Sequence, residues 1–361
     1  MDKAIVITTI NSPKEEIFKF ANVKDWKLIC VGDLKTPKNW SVPNVDYISP
    51  EMHDKLFPTF SKFFPWSMYA RKNLGYLYAI RNGAKIIGES DDDMFPDKNY
   101  PPDVSLEKSL PVLSRKKFIN VYKYFLKNGK NNHVWVRGFP LEYIRDQEGI
   151  TQKKEKVVAP MQNSVQDKNS DFDAVYRFIY NDWLELKKDV EFALDRGSYA
   201  PMNTQNTFTH PMAYPLLYLP ATPGFHVEDI IRGYIAQRIL WEMGARVVFT
   251  YPTGFTSHRN PHNYLDDFRL EVPLFLNTNK LADMLDSISL TKDPLDSLLK
   301  VYRVLVKNGF FPKEELLMVT AWVCEIEDLL KNYSSNILKI GVSNFGNGTK
   351  KASKSVVFNE E

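Results

Sequence analysis

Three consecutive carboxylates, Asp91, Asp92 and Asp93, end an apolar run that begins at Ala84 in this 361-residue chain. A buried strand cannot keep three unpaired negative charges, since each costs several kcal/mol unless it is solvated, paired or placed on a metal. At the mouth of a sheet, the same residues can hold a divalent cation. Hard oxygen ligands suit Mg2+ or Mn2+, which keep several waters and complete their shell with substrate phosphates. Side chains alternate along a strand, so Asp91 and Asp93 are expected on one side and Asp92 on the other. An acidic triplet is also what a solvated turn looks like, so other residues must decide between the two. Arg71 and Lys72 open the preceding helix, where the dipole mildly disfavours a cation. A phosphate, which arginine forks bidentately, is then a better partner for Arg71 than solvent.

The elements that must position these residues alternate between strand and helix. Residues 4–10 read as a buried strand and 13–21 as a helix opened by Ser12-Pro13. Strands follow at 27–32, ending at Asp33, and at 45–48. The spacing of Leu74, Leu77, Tyr78 and Ile80 predicts a helix over 67–82, stopped by Asn82-Gly83, and 84–90 is the acidic strand. Such units imply a mostly parallel central sheet flanked by helices. Ligands of open α/β sheets sit beyond the carboxyl ends of the strands, where Asp33 and the triplet fall. Residues 94–133 read as a polar excursion, partly helical at 114–127, and 134–144 as strand and turn. Lys153–Lys156 reads as a solvated loop, 156–164 as a strand, and 172–180 as a helix or turn. A helix is expected over 227–243 and a strand over 245–250. Helices at 280–288, 293–308 and 313–331 precede a polar, flexible tail.

Composition narrows the partners. The net charge is +3, too small to argue for nucleic acid or an anionic membrane. Cys30 and Cys324, the two cysteines, sit in apolar runs and are expected as buried thiols. The N-terminal run has no signal-peptide succession. The longest apolar stretch, around Pro215–Pro220, is too short to cross a bilayer. These features give the expectation of a cytoplasmic chain without a transmembrane segment.

Several segments together resemble the STELLO-type glycosyltransferase-like family. They are Val6–Asn11, Val31-Gly32-Asp33, Arg71–Ile80, Asn82-Gly83-Ala84, Asp91-Asp92-Asp93, Arg137–Leu141, Asp171–Arg177, Pro201–Thr207, Leu217–Pro220, Asp229–Tyr234 and Arg259-Asn260-Pro261-His262. Their order is kept across residues 4–275. The resemblance implies a GT-A fold, the nucleotide-diphospho-sugar transferase fold. It divides the chain into a catalytic domain over 1–275, a C-terminal helical region over 276–332 and a tail over 333–361. The implied activity is metal-dependent transfer of a sugar, from a nucleotide-sugar donor expected to be UDP-linked, with inversion.

The resemblance also implies roles. Thr8, Thr9 and Asp33 would line the nucleoside pocket. Asp93 would be the main ligand of Mn2+ or Mg2+, with His262 as a late ligand and His258 second. Asp91 would hold the ribose or a metal-bound water, and Asp92 would lie beside the donor. Asp229, at the start of a helix, would take the acceptor proton. Arg71 and Arg232 would stabilise the leaving diphosphate. Gln205 and Asn206 would bind the donor sugar, and Asp171 and Asp173 sugar hydroxyls. The acceptor would be a glycan, lipid or protein, and the C-terminal helices offer a surface for oligomers. Two other activities fit the same residues: a nucleotide-sugar mutase that glycosylates itself, and a non-catalytic scaffold that keeps the fold.

Overall fold

The N-terminal apolar run forms strand β1 (Lys3–Thr9), whose side chains divide between two cores. Ala4 and Val6 join one hydrophobic cluster, and Ile5 and Ile7 join the other. Strand β2 (Lys27–Gly32) repeats the pattern, with Ile29 and Val31 on one side and Leu28 and Cys30 on the other. Burial on both faces is what a parallel strand between two layers requires. The computed structural model describes residues 1–127, 133–180, 183–256 and 263–342, the last stretch by backbone alone over 332–342.

The first half of the chain runs β1, α1 (Glu15–Ala21), β2, β3 (Val45–Ile48), α2 (Pro50–Leu56), α3 (Pro58–Ser61), α4 (Lys72–Arg81) and β4 (Ile86–Glu89). Then come β5 (Met94–Pro96), β6 (Glu107–Ser114), β7 (Lys117–Phe118), α5 (Tyr122–Phe125), β8 (Thr151–Val158), β9 (Met161–Ser164), β10 (Asp167–Lys168) and α6 (Ala174–Ile179). The rest comprises β11 (Glu191–Leu194), β12 (Ser198–Tyr199), β13 (Thr207–Thr209), α7 (Glu228–Glu242), β14 (Val247–Thr250), β15 (Gly254–Thr256), α8 (Tyr264–Ser287), α9 (Pro294–Lys307) and α10 (Lys313–Val342).

Among the described residues the main sheet has ten strands, in the order β3-β2-β1-β4-β13-β9-β14-β11-β6-β8. The first four are mutually parallel. Strand β13 runs antiparallel to both β4 and β9. Beyond it, β9 with β14 and β11 with β6 are parallel pairs, while β14–β11 and β6–β8 are antiparallel. The protein is therefore mixed α/β, with an uninterrupted parallel block at the end that carries the acidic turn.

Two helices position that end of the sheet. Helix α4 lies against β1 and β2 so closely that a Cβ on Gly75 would stand 2.4 Å from Val6 Cγ1 and 2.8 Å from Val31 Cγ2. Helix α7 is buried from Glu228 to Trp241, and several of its polar side chains are absorbed by partners. Gln237 bonds the Ala200 amide and carbonyl, and Arg238 caps the carbonyls of Leu285 and Ile288. Helices α9 and α10 contribute Val301, Leu305, Val319 and Trp322 to the main cluster. The boundary expected at 275 falls inside α8.

Several expected elements differ. Residues 107–114 and 151–158 form a hairpin-like antiparallel pair, where the sequence suggested an excursion and a loop. Pro111 hides the first strand from periodicity, and the lysines of the second are typical of an exposed edge. The stretch 134–144 contains no strand, although Val134, Trp135 and Val136 are buried. The triplet itself lies in a turn closed by the Met94 amide on the Asp91 carbonyl, so strand alternation does not govern it. Cys30 is a buried free thiol, but Cys324 is exposed on the outer side of α10. No helix among the described residues is long and apolar enough to cross a membrane.

Candidate functional site

The parallel block ends in a cavity of about 520 Å³. Thr8 and Thr9 enter it from β1, Asp33 from beyond β2, Asp91–Asp93 from the turn after β4, and Glu228 and Asp229 from the start of α7. This is the carboxyl edge of the sheet, where chain crossovers leave a crevice. Among the described residues eight carboxylates line it: Asp33, Asp91, Asp92, Asp93, Asp171, Glu228, Asp229 and Glu271. Against them stand Lys35, Arg71, Arg137 and His226. The excess of negative charge suits a divalent cation and the hydroxyls of a sugar better than a bare polyanion.

Each member of the triplet is placed separately. Asp91 accepts from Tyr69 Oη at 2.6 Å and pairs with Lys72 Nζ at 3.2 Å. Lys72 is wholly buried, and its ammonium also donates to the Tyr69 hydroxyl and the Ser90 carbonyl. Asp92 accepts from Thr9 Oγ1 and, at 3.0 Å, from Asn11 Nδ2. Asp93 also lines the cavity. Among the described residues, no three His, Cys, Asp or Glu side chains form a ready metal cluster. A cation here would take much of its shell from water and substrate oxygens, as Mg2+ does. His258 and His262 lie outside the described residues.

Arg137 organises the opposite wall. Its Nε and Nη2 fork Asp171 at 3.0 and 2.9 Å, and its Nη1 and Nη2 fork Asp229 at 2.9 and 3.0 Å. Nη1 also donates to the His226 carbonyl, which uses the fifth N–H. Burial opposes the guanidinium charge, but Asp171 and Asp229 more than reverse that, and the arginine titrates well above its ordinary range. Asp171 also accepts from Asn203 Nδ2. Sequence reasoning assigned Arg137 no role, although an arginine inside Val134–Phe139 had to be paired.

Glu228 differs from its neighbour. It is 2% exposed, its Oε2 accepts the Val227 amide, and its Oε1 has no partner. Burial first, and then the Asp229 charge, push its carboxyl up to about 8. Phe225, 53% exposed, stands at the rim edge-on to Tyr69. His226 holds a positive φ of 73° and lies 3.4 Å from Glu271.

Other expected site residues are used by the protein itself. Arg71 touches the cavity, but its guanidinium bonds the carbonyls of Pro65 and Phe64 and the Nδ1 of His53, and stacks 3.3 Å from the Trp66 ring. Burial and the arginine hold His53 down at about 4, so the neutral ring accepts. Asp33 accepts the Ser67 amide on both oxygens and so fixes the loop before α4. Gln205 lines the cavity, but Asn206 does not; it is buried against Thr253. Arg232 does not reach the cavity either. It lies one turn along α7 from Glu228 and Asp229, and its Nη1 donates to both oxygens of Glu89 in the core. Asp173 caps α6 and binds Trp135 Nε1.

A family model described as STELLO glycosyltransferases matches residues 226–358. The Arabidopsis thaliana protein named "Probable glycosyltransferase STELLO1" is 28% identical over 354 residues, which cover 90% of this chain and 44% of that one. "Probable glycosyltransferase STELLO2" from the same plant is 28% identical over 352 residues, 91% of this chain and 45% of its own. The chain is similar to STELLO-type proteins over most of its length. The chain spans less than half the length of these curated relatives. Its family match begins at His226, just before the Glu228-Asp229 pair that opens α7.

Proposed function

We propose that this chain is a metal-dependent glycosyltransferase of the GT-A type, moving a sugar from a UDP-linked donor to an acceptor hydroxyl. One observation carries the reading: the acidic turn, the ends of β1 and β2 and the acidic start of α7 share one cavity at the carboxyl edge of a parallel block. The names of both plant relatives support the same class of activity.

Thr8, Thr9 and Asp33 are the candidates for the nucleoside, with the loop at Ser67 closing over it. Asp93 would hold Mn2+ or Mg2+, while Lys72 fixes Asp91, and Thr9 and Asn11 fix Asp92. A cation bound there supplies charge stabilisation for the diphosphate as it leaves. Gln205 and Asp171 face the space for a sugar. The Asp171–Arg137–Asp229 triad sets the wall on the acceptor side.

The test is thermal stability with UDP, GDP and CMP, with and without Mn2+. A ligand that binds only the folded state adds about 2.7 kcal/mol at a hundredfold excess over its dissociation constant. The expected result is a Mn2+-dependent rise with UDP that Asp93→Ala abolishes. The absence of a shift with any nucleotide in the wild type would remove the donor pocket and the reading with it.

A further inference from the structure

Glu228 and Asp229 both face the cavity, yet the structure treats them differently. Both oxygens of Asp229 are forked by Arg137, and Oδ1 also accepts the Ile230 amide. Asp171 lies on the other side of the same guanidinium. A carboxylate held at that many points is an anchor, and a proton acceptor must be able to turn toward its hydroxyl. Glu228 has no side-chain anchor of that kind: backbone amides, Val227's on Oε2 among them, support it, and its buried Oε1 has no partner. An orphaned carboxylate oxygen costs free energy unless a ligand completes it, so native proteins keep one mainly for a reason.

We propose that Glu228 takes the proton from the incoming acceptor hydroxyl, and that Asp229 and Arg137 are positioning residues. This assignment rests on the glycosyl-transfer reading and changes the residue the sequence suggested for the base. The acceptor oxygen forms a bond to the anomeric carbon as the bond from that carbon to the diphosphate oxygen breaks. The leaving nucleoside diphosphate keeps the electron pair, and the proton passes to the Glu228 carboxylate and later to water. Burial and Asp229 raise the Glu228 carboxyl and Arg137 opposes them, with Asp171, His226 and Glu271 lining the same cavity. A base titrating near neutrality is far stronger than an ordinary carboxylate, and geometry and basicity therefore agree.

The experiment follows UDP release from UDP-glucose, UDP-galactose and UDP-N-acetylglucosamine in Mn2+ buffer, with water as acceptor, between pH 5 and 9. UDP affinity is measured by calorimetry on the same proteins. The wild type is expected to gain kcat/KM with rising pH, up to a limb at about 8. Glu228→Gln is expected to lose about a hundredfold or more of that rate with UDP affinity unchanged, and Glu228→Asp to recover part of it. Asp229→Asn is expected to retain a limb, moved to lower pH because the Asp229 charge is gone, while lowering the rate. The assignment is overturned if Glu228→Gln keeps the wild-type rate and limb, or if Asp229→Asn alone removes the limb. If the wild type neither binds UDP nor releases it from any of the donors, the glycosyl-transfer reading fails, and this assignment with it.

Discussion

Arg137 is the residue on which the acidic wall depends, because all five of its N–H groups are used and two of its partners are buried carboxylates. Removing one member of a buried charge network leaves the others uncompensated, at a cost of about 3–5 kcal/mol. Arg137→Met is expected to lose that much in urea denaturation, and a loss under about 1 kcal/mol would show that the pairs contribute little. Arg137→Lys should recover only part, because an ammonium cannot fork two carboxylates. Glu228 makes the opposite kind of prediction. Its carboxyl titrates from 4.5 in the unfolded chain to about 8 in the folded one, through burial and then Asp229. Between those values the unfolded chain has released the proton and the folded chain still binds it, so stability falls as pH rises through the window. Glu228→Gln has no such proton. Its stability relative to wild type should rise from pH 5 to pH 8 and show no pH-dependent gain below about pH 4. Asp173 and Glu315, also raised by burial, are present in both proteins and drop out of the difference. A gap independent of pH would mean that Glu228 is already ionised in the folded chain.

At the scale of elements, the site depends on how closely helices lie on strands. Gly75 lets α4 touch β1 and β2, and α4 begins with Lys72, which orients Asp91. Gly75→Ala would force a methyl into Val6 and Val31 and is expected to cost about 1–3 kcal/mol as overpacking. Denaturation of that variant measures it, and an unchanged midpoint would mean that α4 can lift without penalty. The loop before α7 is held from the far side. Glu315 of α10 accepts the Thr222 amide at 2.9 Å and its hydroxyl at 2.7 Å, and also receives Tyr218 Oη. The chain between this anchor and Glu228 carries Phe225 and His226 to the rim. A C-terminal helix thus takes part in placing the cavity wall.

At the scale of the whole molecule, this coupling bears on where domains divide. Trp322 is fully buried, packs on Phe60 and Tyr218, and donates Nε1 to the Pro215 carbonyl at 3.0 Å. Trp322→Ala is expected to cost about 3–5 kcal/mol. Because α9 and α10 share the main cluster with α4 and α7, that loss should appear as one shifted calorimetric transition. Two separated transitions would instead mark the C-terminal helices as an independent unit.

The sequence by itself determined the parallel block and the position of the acidic triplet. Lys27–Gly32 and Val45–Ile48 lie where the apolar runs put them, and α7 spans 228–242 where 227–243 was expected. Strand β2 is legible because burial on both faces writes an apolar run into the chain, α7 because Glu228-Asp229 and Met243-Gly244 mark its ends, and β3, half-buried at the sheet edge, gives a weaker signal. The β6–β8 pair was not legible, since an exposed edge rich in lysine carries no such signal. Residue roles were divided by tertiary structure. Arg232 and Arg71 look from sequence like phosphate ligands, but one gives its Nη1 to Glu89 in the core and the other bonds His53 and two carbonyls. Arg137 was given no role, yet it joins residues 34 and 92 positions away in the chain. Charge pairing of that kind depends on which side chains meet across the fold, and local spacing holds no record of it.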